Sequence, residues 1–128
     1  MRIKNSGQAV VEFAILLPIL ILLVMGALDL GRSFFMKIVT TNAAREGAYY
    51  LSYHPDDRTS GYTGTIHAIQ NEGIGAGVAI NTSDITVTGC CTTGSPVEVT
   101  VRQTVNLTIF NFFTGPLQMT SRVRMLVQ

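Results

Sequence analysis

Residues 13–28 contain no charged side chain, and across the longer stretch 9–28 the only charge is Glu12. Coiled as an α-helix, those twenty residues reach about 30 Å, the thickness of the hydrocarbon core of a bilayer. The stretch therefore predicts a membrane-spanning helix. Composition agrees, because 47% of the chain is hydrophobic and only 13% is charged, against roughly 25% charged in an average soluble domain. With 128 residues in all, one folded unit is expected beyond the span and a second has no room.

Ahead of the apolar stretch, residues 1–7 carry Arg2 and Lys4 and no acid. The positive-inside bias holds such an end in the cytoplasm, so everything after residue 28 is expected outside. A secretory signal would have an apolar stretch of about 7 to 15 residues followed by a small-residue cleavage site, and no such site follows residue 28. Hydropathy alone fits a plain signal anchor. Glu12 asks for more, since a carboxylate deep in a membrane costs about 2.5 to 3.5 kcal/mol on insertion scales and needs a counter-charge or a function.

The residues around that acid carry a resemblance. Gly7-Gln8-Ala9-Val10-Val11-Glu12-Phe13 is similar to the processing motif of type IVb prepilins of the Flp class, in which a peptidase cuts after the glycine and glutamate stands fifth in the mature chain. The wider stretch 7–50 resembles the start of TadE-like proteins, pseudopilins or minor pilins of the tight-adherence (Tad) pilus system. Its marks are Gly7 before Glu12, Pro18 within the apolar run, Asp29-Leu30-Gly31-Arg32 at its end, and Thr41-Asn42-Ala43-Ala44-Arg45-Glu46-Gly47-Ala48.

The resemblance implies a cut between Gly7 and Gln8, with residues 1–7 as a prepilin leader. Gln8 would then bear a free α-amino group, which ordinarily titrates at about 7.7 to 8.0 and is mostly cationic at neutral pH. Residues 8 and 12 share a helix face, so this cation could meet Glu12 within one chain or between neighbours. Opposite charges attract more strongly in a low-dielectric medium, which makes Glu12 the expected assembly residue. Pro18 removes one backbone hydrogen bond and crowds the preceding turn, predicting a kink or a loosened segment.

No proline interrupts residues 29–52, so one helix is expected from about residue 8 to residue 51, amphipathic in its outer half. Its small residues Ala43, Ala44, Gly47 and Ala48 suit close packing, and Tyr49, Tyr50 and Tyr53 are expected to pack on the folded head. Residues 54–64 read as an exposed turn-rich loop, and 65–73 as a short second helix ended by glycines. Beyond residue 78 the apolar period becomes two. Ile85 and Val87 mark one strand, and Val97, Val99, Val101, Val105, Leu107 and Ile109 predict another over residues 97–109. Val123, Met125 and Val127 mark a third, following a turn at Thr114-Gly115-Pro116.

A sheet with one apolar face needs a cover, and the long helix is the nearest one. The expected fold is therefore α+β and pilin-like: a long N-terminal transmembrane and stalk helix packed on a small antiparallel sheet of about three strands. The expected divisions are a leader at 1–7, a spanning half-helix at 8–28, an outer half-helix at 29–53, and an α+β head at 54–128.

Other chemistry is thinly represented. His54 and His67 stand beside no acids or cysteines at metal-ligand spacing, and Asp56-Asp57 lacks the alternating oxygen ligands of a calcium loop. Gly73-Ile74-Gly75-Ala76-Gly77 lacks the lysine of a phosphate-binding loop. Adjacent Cys90 and Cys91 either close a strained disulfide ring or stay reduced. A net charge of +1 with no basic cluster disfavours nucleic acid. No catalytic residue, cofactor or metal is expected, and the chain is read as no enzyme.

The resemblance implies a subunit held in the bacterial inner membrane by a single pass, used in assembling or initiating an Flp pilus. The partners implied are a prepilin peptidase, the Tad motor ATPase with its membrane platform, the Flp major pilin, sibling pseudopilins and membrane lipid, with self- or hetero-assembly through the N-terminal helix. The competing reading is a permanently anchored binding or adhesion module, which predicts an uncut N-terminus and indifference to Glu12.

Overall fold

The computed structural model describes residues 6–89, 92–109, 111 and 115–128. Helix α1 (Ser6–Tyr53) is unbroken through Pro18, two residues longer at each end than expected. A 3₁₀ turn at Pro55–Ser60 leads to α2 (Thr63–Gly75), and β1 (Ile85–Gly89), β2 (Pro96–Val105) and β3 (Leu117–Leu126) follow. The strands form one antiparallel sheet in the order β1-β2-β3, with Val87 opposite Val99 and Val99 opposite Val123. This is the α+β architecture anticipated from the alternating valines.

The period-two pattern sends Val97, Val99 and Val101 to one face of the sheet, where all three are buried. Ala43, Ala44 and Ala48 of α1 are fully buried against that face, together with Ile69 of α2. Small residues let the helices meet closely. A Cβ built on Gly47 would stand 2.5 Å from Ile69 Cγ1, and one on Gly64 would stand 2.5 Å from the Tyr50 hydroxyl, so a larger residue on either side of the α1–α2 crossing has to displace a packed side chain. The opposite face of the sheet carries Glu98 between Arg122 (3.3 Å) and Arg124 (3.1 Å). Both arginines are largely in solvent, so these pairs contribute little.

The direction of β3 along α1 is fixed by hydrogen bonds near both ends. Lys37 Nζ donates to the carbonyl of Thr120 (2.6 Å) and to Ser121 Oγ (3.1 Å), and Thr41 Oγ1 is 2.8 Å from Ser121 Oγ. Farther along, the N–H of Gln128 donates to the carbonyl of Ser52 at 2.9 Å. From the Lys37–Thr41 level to Ser52 the helix rises about 20 Å, and from Ser121 to Gln128 a strand covers about 23 Å. Hence β3 runs alongside α1 in the same direction, and β2 runs back toward the apolar half of the helix.

Two local expectations are corrected. The second strand ends at Val105 rather than at residue 109, because the chain beyond it bonds to an α1 side chain. Tyr49 and Tyr53 do not pack on the head: they stay about half exposed and contact each other at 4.9 Å between centroids. Tyr50 alone turns inward, against Gly64. Residues 54–64 are turn-rich and mostly exposed, as expected, with the 3₁₀ turn followed by left-handed Gly61 and Tyr62, and α2 already begins at Thr63. Residues 1–5 of the expected leader, Cys90 and Cys91, and Thr114 of the expected turn lie outside the described residues.

Candidate functional site

Every residue from position 7 to position 24 is exposed, so the apolar half of α1 projects from the head with nothing of this chain around it. Among the described residues, α1 is the helix long and apolar enough to cross a bilayer. The helical period brings Gln8 and Glu12 onto one face, where Gln8 Nε2 donates to Glu12 Oε1 at 3.2 Å. Gly7 precedes them in the first turn and Pro18 lies on the same unbroken helix. The four residues singled out by sequence thus stand along one exposed, apolar rod.

At the far end of this rod sits a buried acid. Asp29 is 3% exposed, and its Oδ1 accepts the N–H of Thr108 at 2.9 Å while Oδ2 accepts the N–H of Ile109 at 2.7 Å. A carboxylate that receives backbone N–H groups is well compensated for leaving water. This bracket draws the chain after β2 off the sheet and onto α1, with Leu107 buried beneath it. Sequence reading placed Asp29 within a motif but assigned it no partner. The available signal was a lone acid at the end of an uncharged run, and the 79-residue separation hid what it meets.

Asp57, which the sequence places in an exposed turn-rich loop, anchors α2. The residue at the helix N-cap, Tyr62, is left-handed and makes no capping bond with its side chain. Asp57 supplies the missing acceptor from upstream, taking the N–H of Gly64 (2.9 Å), the N–H of Thr65 (2.7 Å) and the Thr65 hydroxyl (2.6 Å). Partial burial pushes the Asp57 carboxyl up, but hydrogen bonds from the Thr65 hydroxyl and N–H, Ser60 and Gly64 outweigh it and hold the group below the ordinary aspartate value.

The histidines are occupied locally or stand apart. His54 stacks on Tyr50 at 4.3 Å between centroids, with Nδ1 3.0 Å from the Tyr50 carbonyl. His67 lines an open polar groove between α1 and α2 with Glu46, Tyr50, Asn71 and Glu72. Among the described residues no three His, Cys, Asp or Glu side chains converge as a metal set would.

The rod, its acid at position 12, the bracketing aspartate and the small-residue stripe together make up most of α1, and it is over this segment that a relationship is found. Residues 7–48 match the family of TadE-like proteins. No curated protein and no solved structure matches the chain at a significant level. The TadE-like segment begins at Gly7, takes in Glu12, Pro18 and Asp29, and ends at the buried Ala48, so it covers the helix and stops short of the sheet. The match agrees with the resemblance carried by the motif. It covers about a third of the chain, and the one long apolar helix among the described residues is compatible with a membrane anchor.

Proposed function

We propose that this chain is a minor pilin or pseudopilin, cut between Gly7 and Gln8 by a prepilin peptidase and then used to assemble or initiate an Flp-type pilus. The observation that carries the reading is the TadE-like segment itself: it starts at the glycine of the processing motif and covers a rod whose apolar face bears one unburied acid, Glu12.

After cleavage the α-amino group of Gln8 becomes a cation at the head of the helix, four positions from Glu12 and so on its face. In the low-dielectric interior of a membrane or a fibre, an uncompensated carboxylate is far more costly than one paired with a cation. A subunit is therefore held in the register that brings the two charges together, either within itself or with its neighbour. The residues' role is positional and no bond is made or broken by this chain. The head stands outside the membrane, and the partners are the peptidase, the Tad motor and platform proteins, the Flp major pilin and sibling pseudopilins.

Glu12→Ala is the direct test. The variant is expected to insert into the membrane at normal levels and to be lost from sheared pili and from the complexes that initiate them. Wild-type incorporation of Glu12→Ala would refute the role, and would favour an anchored binding module that has no use for this acid.

A further inference from the structure

Two independent sets of contacts fix how far the lower end of the sheet descends along α1. The first is the Asp29 bracket, which holds the N–H groups of Thr108 and Ile109 at the residue that follows the apolar run. The second is β3. From Ser121, which bonds to Lys37 and Thr41, the strand runs back four residues to Leu117, a descent of about 13 Å. The same descent on α1 covers about nine residues, from the level of Lys37–Thr41 to the level of Leu30. Leu117 therefore ends beside the point where the helix leaves its apolar stretch.

That end of the head is unlike the rest in charge. Among its described residues, 103–109, 111 and 115–121 carry no Asp, Glu, Lys or Arg. Leu117 is 43% exposed, and Leu28 and Leu30 of α1 are 68% and 53% exposed. Moving away from the apolar stretch, Asp29 is buried and bonded to backbone, so the first exposed charge on α1 is Arg32, and Arg102 follows on β2 opposite Thr120, in a groove it shares with Asp84. Exposed apolar groups at the edge of a spanning helix, free of charge and followed by the exposed cation Arg32, match the chemistry of the interfacial layer.

We infer that the membrane-proximal end of the β2–β3 pair, at Pro116 and Leu117, rests in the interfacial layer of the bilayer beside the exit of α1, giving the head a second lipid contact. This rests on the reading that α1 spans a membrane. The contact sets the height and tilt of the head before extraction, and it has to be released when a subunit leaves the bilayer.

The chain has no tryptophan, so single substitutions report position. The full-length variants Leu117→Trp, Pro116→Trp, Leu126→Trp and Leu20→Trp are reconstituted in phospholipid vesicles carrying bromine on the acyl chains close to the headgroup, with a second set brominated near the chain ends to report Leu20→Trp at the bilayer centre. Leu126 is the internal control, exposed at the other end of the same strand, about 30 Å from Leu117. Quenching at Leu117→Trp and Pro116→Trp is expected to exceed that at Leu126→Trp several-fold. Equal quenching at both ends of β3 overturns the inference while leaving the span intact, provided Leu20→Trp is quenched. An unquenched Leu20→Trp overturns the span and the inference with it. Blue-shifted but unquenched emission at Leu117→Trp that weakens as protein is diluted in lipid assigns the surface to a second copy of the chain, and overturns the lipid contact.

Discussion

Two aspartates join segments of this protein by accepting backbone N–H groups, and each makes a prediction at the scale of a single oxygen. Asp29→Asn removes one acceptor oxygen from the bracket on Thr108 and Ile109 and leaves a buried N–H without its charged partner. A loss of about 2 kcal/mol in head stability is expected, read as a lowered melting midpoint of the full chain in micelles. Asp57 is tested by its neighbour: Asp57→Ala is expected to cost about 1 kcal/mol as a lost helix cap, and Asp56→Ala, at an exposed side chain, to leave the melt unchanged. Since the folded-state pKa of Asp57 is lowered, its stabilisation is present in full above the unfolded value and fades as pH falls through the folded one. The stability difference between wild type and Asp57→Ala should therefore shrink as the pH falls through and below the ordinary aspartate range. A gap that stays constant over that range contradicts the assignment.

Among the elements, periodicity was a good guide wherever one face is buried. Alternating valines located β2 and β3, because shifting either strand by one residue would turn its apolar set outward. The small-residue stripe of α1 located the helix crossing for a similar reason. What periodicity could not reach were contacts distant in sequence. Leu107 and Ile109 continue the alternation of β2, yet the Asp29 carboxylate competes for the backbone that would have extended the ladder. In the same way, the cap of α2 comes from seven and eight residues upstream, beyond the local capping pattern. Tyr49 and Tyr53 misled because an aromatic cluster suits packing and solvent-exposed interfaces equally. The crossing itself is testable. Gly47→Leu drives a side chain into Ile69 and is expected to cost about 1 to 3 kcal/mol as overpacking, with a matching loss of near-ultraviolet circular dichroism. Gly26→Ala, where an added Cβ meets nothing within 4 Å, should be neutral in the same assay.

At the scale of the whole molecule, the chain divides its surface by solvent. The apolar half of α1 is bare of protein contacts, and the outer half is covered by the sheet and α2. The site on the rod was legible in the sequence because its parts are close together: a glycine, an acid five positions later and an uncharged run. The manner in which the head is fastened to the rod was not, since Lys37, Thr41, Asp29 and Ser52 all meet residues more than 70 positions away. A rod fastened to its head at several heights moves as one body, which suits a subunit pulled out of a bilayer by its neighbours. The central claim, that proteolysis makes the cation that Glu12 needs, is tested most directly by the N-terminal mass of the protein recovered from sheared native pili. The account predicts a chain beginning at Gln8, and chains recovered there with residues 1–7 still attached would contradict it.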